Sequence, residues 1–176
     1  ALLRISSSDG ALTGRSVAKA GLALSVAFLL APWAHSYVRD AAAVGSAEQT
    51  ARKWLEATTA ADWNEAAKLM TPAKLYGLMP RSPLPNAPPP EFNEAIAIQQ
   101  LARDDTVQAI STWQSEGDAE LHFRDCEFNW QARHTEAGCS VTLTHADSEA
   151  LECWILLERR PTPEGQMVWL VNDWKL

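Results

Sequence analysis

From Ala20 to Val38, 19 consecutive residues pass without an Asp, Glu, Lys or Arg. Lys19 closes this run on one side and Arg39-Asp40 on the other. Wound as an α-helix it reaches about 28 Å, close to the ~30 Å hydrocarbon thickness of a bilayer. Leu22, Leu24, Val26, Phe28, Leu29 and Leu30 supply its apolar character, while Pro32 and His35 dilute it near the far end. Three readings compete. A cleaved signal peptide would use Arg15 and Lys19 as its charged region and a small-residue site near Ala41-Ala42-Ala43. A buried helix of a soluble domain is the second, and a transmembrane anchor the third. Trp33 and Tyr37 gather at one end, where amphipathic rings prefer the headgroup level, and they favour the anchor. A transmembrane helix is therefore expected over residues 20–38, after an N-terminal tail of residues 1–19.

Within that segment, Ala23, Ala27 and Ala31 recur at four-residue spacing, and Gly21 and Ser25 form a second small pair on a nearby stripe. Small residues at this interval let another helix approach closely in lipid. They are the expected packing surface for neighbouring membrane helices.

Beyond residue 40 the pattern changes to short amphipathic helices. Gly45-Ser46 predicts a helix start, with Ser46 and Gln49 spaced as a capping box. Ala47, Ala51, Trp54, Leu55 and Thr58 share its apolar face. A second start is expected at Asp62 with Glu65 three residues on; Trp63, Ala66, Ala67 and Met70 give the stripe and Pro72 the limit. A Pro-rich connector over 80–90 follows, containing Pro83 and Pro85, whose density favours extended polyproline II. It reads as a stiff link that wraps the domain or lies along a partner. From Glu91 to Ser115 helical spacing returns, with Ala95, Ile98, Ala102, Thr106, Ile110 and Trp113 on one face and a break expected at Asp104-Asp105.

After Gly117-Asp118 the period falls to two. Leu121 and Phe123 alternate in one phase, and Cys126, Phe128 and Trp130 in the other, which predicts a β-bulge near Arg124-Asp125. A turn at Glu136-Ala137-Gly138 leads to Cys139, Val141, Leu143 and His145. Leu151, Cys153, Ile155 and Leu157 follow, then Met167, Trp169 and Val171, with Val168, Leu170 and Trp174 opposite. Helices followed by four strands on short turns predict an α+β domain over residues 46–176, its helices packed on a four-stranded antiparallel meander.

Charge divides the chain. Residues 1–39 carry Arg4, Arg15, Lys19 and Arg39 against Asp9, a net of +3, while the remainder holds 11 basic and 21 acidic residues, a net of −10. So acidic a domain repels phosphate backbones, which argues against nucleic-acid binding. The positive-inside tendency places the N-terminus in the cytoplasm, matrix or stroma and the domain opposite. The first residue is Ala, so a processed or truncated chain is expected, and residues 1–19 have the Ser, Ala and Arg content of an organelle targeting remnant. The organelle inner or thylakoid membrane is the expected location, a bacterial inner membrane the alternative.

The three cysteines, Cys126, Cys139 and Cys153, are spaced by 13 and 14 residues, unlike any zinc pattern. They read as buried structural thiols, with a Cys139–Cys153 disulfide as the alternative. Neither a metal nor a cofactor is expected.

The stretch Ala60-Ala61-Asp62-Trp63-Asn64-Glu65-Ala66-Ala67-Lys68-Leu69-Met70-Thr71-Pro72 resembles the second-helix region of the nuclear transport factor 2-like superfamily. The ending Val168-Trp169-Leu170-Val171-Asn172-Asp173-Trp174 resembles the last strand of that cone-shaped fold. The resemblance covers about residues 46–176. It implies helices covering a curved sheet, and a superfamily that hosts enzymes, ligand binders and membrane-anchored scaffolds, so fold alone does not assign a role. Its isomerases and dehydratases use an Asp or His base inside the cone. The positions that match in kind are Asp125, His145 and Asp173, yet no Asp–His spacing forces contact, and the phosphate-loop, G-x-S-x-G and H-E-x-x-H motifs are missing. No catalytic residue is assigned.

Trp154 shares its strand face with Glu152 and Glu158. A large ring on a polar face marks a partner surface, with Pro83 and Pro85 as its companions. Packing beneath a helix or the Pro-rich segment is the alternative explanation. The expected role is a non-enzymatic accessory or assembly subunit of a larger membrane complex, respiratory or photosynthetic, whose partners are the other subunits and the bilayer. The alternative is an anchored or exported small-molecule binder or isomerase-like enzyme using the cone interior.

Overall fold

The computed structural model describes residues 15–80, 90–115, 120–129, 136–145 and 148–176. In order these form α1 (Arg15–Thr59), α2 (Trp63–Lys68), α3 (Pro72–Gly77), α4 (Glu94–Leu101), α5 (Asp105–Ser115), β1 (Glu120–Asn129), β2 (Glu136–His145), β3 (Ser148–Pro161) and β4 (Met167–Lys175). The class is α+β. Two units are distinguished, Ala1–Ala43 and Val44–Leu176. Residues 81–89 of the Pro-rich connector, with Pro83 and Pro85, lie outside the described residues, as does Trp130.

In the first unit, helix begins at Arg15, inside the expected tail, and passes through Pro32. Proline at that position withdraws one backbone N–H from the ladder. The helix then continues beyond Val38, so the predicted start at Ser46 does not form. Ser46 is interior: its carbonyl accepts a hydrogen bond from the Thr50 hydroxyl at 3.1 Å. The reason is local. Ala41, Ala42 and Ala43 favour helix, and a mid-helix Gly45 costs about 1 kcal/mol, less than leaving two new sets of orphan backbone groups.

In the second unit, Ala47, Ala51, Trp54, Leu55 and Thr58 are fully buried, the face expected from their spacing. α1 ends in a Schellman arrangement: the Asp62 N–H donates to Ala57 O at 2.9 Å and the Ala61 N–H to Thr58 O at 3.1 Å. Ala61 takes the left-handed position, φ 54°, that glycine usually fills. Asp62 then caps α2, its carboxylate accepting from Glu65 N at 3.1 Å. Pro72 does not stop a helix, as its sequence position suggested. It opens α3 behind the N-cap Thr71, where a missing N–H costs nothing. The break at Asp104-Asp105 is present, and the Asp104 carboxylate caps α5 by accepting from Val107 N at 3.1 Å. It also resets the helical phase, so the buried stripe is Ala97, Leu101, Val107 and Ile110, and Ala95 is exposed.

The sheet is an antiparallel meander in the order β1-β2-β3-β4. The bulge lies where the phase change placed it: Phe123 pairs with Val141 and Asp125 with Ser140, which leaves Arg124 as the extra residue. The turn expected at Glu136-Ala137-Gly138 is strand instead, paired with Asn129, Phe128 and Glu127. A second irregularity corrects the reading of β4. Leu156 pairs with Asp173 and Leu157 with Val171, so Asn172 is extra and Trp174 turns to the inner face beside Trp169 and Val171.

Asn172 is used there. The Thr71 hydroxyl donates to Asn172 Oδ1 at 2.9 Å, while Leu69 and Thr71 exchange backbone hydrogen bonds with Val171 at 2.7 and 2.8 Å. This single parallel bridge covers part of the outer edge of β4. The core lies between helices and inner face: Trp54, Leu55, Leu101, Val107 and Ile110 from above, and Val141, Leu143, Ile155, Leu157 and Val171 from below, all at most 1% exposed.

Candidate functional site

Two surfaces of this chain carry large apolar side chains that remain exposed. The first is the apolar stretch of α1. An 18-residue window there has a mean hydropathy of 1.6, and none of it is buried; among the described residues it is the helix long and apolar enough to cross a membrane. Phe28, Leu29, Trp33 and Tyr37 are more than 70% exposed. At about 100° per residue, Ala20, Ala23, Ala27, Ala31 and Ala34 fall within one arc about 80° wide. Leu22, Val26, Leu29, Leu30, Trp33 and Tyr37 fall on the neighbouring side. Gly21 and Ser25 do not adjoin the alanine stripe as expected; helical geometry puts them nearly opposite it. The Ser25 hydroxyl donates to Gly21 O at 2.9 Å, so its donor is already used within its own turn. A Cβ added to Gly21 would meet nothing within 4 Å.

The second surface is the outer face of the sheet around Trp154. This residue is 38% exposed and pairs across the ladder with Ser140 and Lys175. Its ring lies over Gly138: a Cβ built on Gly138 would overlap Trp154 Cζ2 and sit 2.8 Å from Cη2. The indole occupies the space that the glycine leaves. The acids flanking it are already paired, Glu152 with Arg124 at 3.0 Å and Glu158 with Arg160 at 2.9 Å. What remains is a shallow hollow lined by Ser140, Glu152, Cys153, Trp154, Lys175 and Leu176.

The Gly138–Trp154 fit makes a sharp prediction. Gly138→Ala is expected to cost about 1–3 kcal/mol, because the ring must leave its seat. In a Trp154→Ala background the same change should cost near zero. Denaturant midpoints of the four variants test this, and equal costs in both backgrounds would rule out the seating.

The acid candidates do not converge. Asp125 is exposed on the outer face beside the bulge. Asp173 is also exposed and bonded to Lys74, whose ammonium lies 4.1 Å from the Trp174 ring centroid. Burial pushes the Asp173 carboxyl up, but the hydrogen bond and charge of Lys74 outweigh it and hold the group below the usual carboxylate range. His145 is placed only by its backbone, opposite Ser148 at the hairpin end. Around Asp104, the Trp174 indole N–H donates at 3.1 Å, so this acid ties α5 to β4. Among the described residues no group of three or more His, Cys, Asp or Glu is arranged to hold a metal.

The cysteines pair differently from the Cys139–Cys153 alternative. Cys126 and Cys139 are direct cross-strand partners with Cα atoms 4.1 Å apart, and they form the disulfide. Cys139 faces Ile155 on β3, while Cys153 faces Val141 and remains a buried free thiol. Because residues 136–138 are strand paired with 127–129, Cys126 comes opposite Cys139. Comparison with protein families, with curated proteins and with solved structures finds no match to this chain.

Proposed function

We propose that this protein is an accessory or assembly subunit of a larger membrane complex, without an enzymatic role of its own, held by one helix. The observation that carries the reading is the uncovered apolar stretch of α1, whose large side chains are exposed over a length that matches a bilayer. Its alanine arc spans about 21 Å along the helix, a surface on which a second helix packs closely. The bulky side suits lipid tails. Arg39 is offset by the adjacent Asp40 at 3.3 Å, so uncompensated positive charge remains on the N-terminal side of the stretch. That supports an N-terminus in the matrix, stroma or cytoplasm and an acidic domain opposite.

The host complex on this reading is respiratory or photosynthetic, in an organelle inner or thylakoid membrane. The leader-like composition of residues 1–19 supports that placement. We read the domain as nuclear transport factor 2-like on the two stretches that resemble that superfamily, and helices lying against one face of a bulged antiparallel sheet are in keeping with it. Gentle solubilisation of the native membrane followed by sizing tests the proposal. Co-migration with a large assembly is expected, and a lone species near 19.3 kDa, allowing for detergent, would overturn it.

A further inference from the structure

β1 is the least protected strand of the sheet. None of its described side chains is fully buried, and its ladder is to β2 on one side. On the inner face, ring contacts help to hold it: the Arg52 guanidinium lies 4.5 Å from the Phe123 centroid, and the Phe128 and Trp169 centroids are 5.5 Å apart. Arg124 interrupts its pairing in the middle. Beside these contacts, the β2 ladder and the Arg124–Glu152 ion pair, one covalent bond joins Cys126 just past the bulge to Cys139 in the fully buried part of β2. The crosslink closes a segment with a sequence separation of 13, and so removes freedom from the unfolded chain where burial contributes least.

We propose that the Cys126–Cys139 disulfide is what retains β1 on the sheet, and that the domain of residues 44–176 therefore folds and resides in an oxidising compartment. Disulfides persist in such spaces and are kept reduced elsewhere by the thiol pool. In forming the bond, the two thiols release two protons and two electrons to a disulfide-bearing oxidant, whose own S–S bond becomes two thiols. The third cysteine does not compete. Cys153 is 1% exposed, and burial pushes its thiol up to about 11, so the attacking thiolate is scarce near neutrality. The compartment follows from the disulfide; which face of the membrane it occupies rests on the anchored reading above.

Acid-quenched cells making the full chain are denatured and treated with a mass-adding maleimide, before and after reduction. One adduct is expected before reduction and three after, with none before reduction in Cys153→Ser. Three adducts without reduction would overturn the proposal. Retention of β1 is read on purified full chain in detergent. Cys126→Ser is expected to lower the melting temperature by about 10 °C and to open protease cleavage within residues 120–129, whereas Cys153→Ser should do neither. If Cys126→Ser does not accumulate, reducing the folded wild type gives the same comparison, and an unchanged melting temperature and cleavage pattern would overturn retention. Protease added to sealed vesicles then reports sidedness: a domain exposed on the reducing face overturns the compartment assignment but leaves the anchor standing. Loss of membrane association with the disulfide intact removes the anchor alone.

Discussion

Replacing Trp54 by alanine is expected to lower the stability of the folded domain by about 3–5 kcal/mol, the usual cost of removing a buried aromatic side chain. Trp54 is fully buried on α1, and its ring centroid lies 5.2 Å from that of Trp174 on β4 at an interplanar angle of 32°. It therefore links the helical layer to the strand whose side-chain phase depends on Asn172. A domain of this size is stable by about 5–15 kcal/mol in total, so the loss removes a large part of the margin. Trp54→Phe should cost less than half as much. The phenyl ring keeps most of the contact, and the change deletes an indole N–H that is buried without a hydrogen-bond partner. Denaturant titration of the full chain in detergent measures both. A loss under about 1 kcal/mol for Trp54→Ala would mean that α1 does not pack on the sheet as described.

The second large effect concerns the membrane. Ala27 lies near the centre of the apolar stretch and is exposed. Ala27→Arg places a permanent charge there, at a cost of about 2.5–3.5 kcal/mol on insertion scales. That is roughly a 100-fold shift away from the inserted state. The wild-type chain should resist alkaline carbonate extraction from membranes, and a large fraction of the Ala27→Arg chain should be released. Ala27→Leu, which keeps the apolar character and fills the alanine arc, should remain inserted but migrate as a smaller assembly. Release of the wild type by carbonate would sink the anchor, and an unchanged assembly for Ala27→Leu would sink the packing role of that arc.

Some of the architecture is legible in the sequence because one element's pattern is enough. The buried side of α1 from Ala47 to Thr58 follows from 3.6-residue spacing, and Arg124 was legible as a bulge because apolar alternation changes phase around it. The start at Asp62 and the break at Asp104 rest on side chains that satisfy backbone N–H groups a few residues away. The candidate surfaces were less legible. Gly138 looked like a turn residue, yet it is the seat of an indole from another strand. The alanine arc of α1 is wider than the spaced trio suggested, since Ala20 and Ala34 join it only once a continuous helix fixes their angle.

Periodicity and capping chemistry decided which segments are helix or strand and that one stretch of α1 seeks an apolar surrounding, because both depend on residues within a turn or two. Pairing across the sheet had to be supplied by the fold. Residues 168–171 are apolar without interruption, so nothing local could show that Asn172 is skipped; the Thr71 hydroxyl, far away in the chain, draws it out and turns Trp174 inward. The choice of Cys126 over Cys153 as the partner of Cys139 has the same origin, since a shift of two residues in hairpin register changes which sulfur atoms meet.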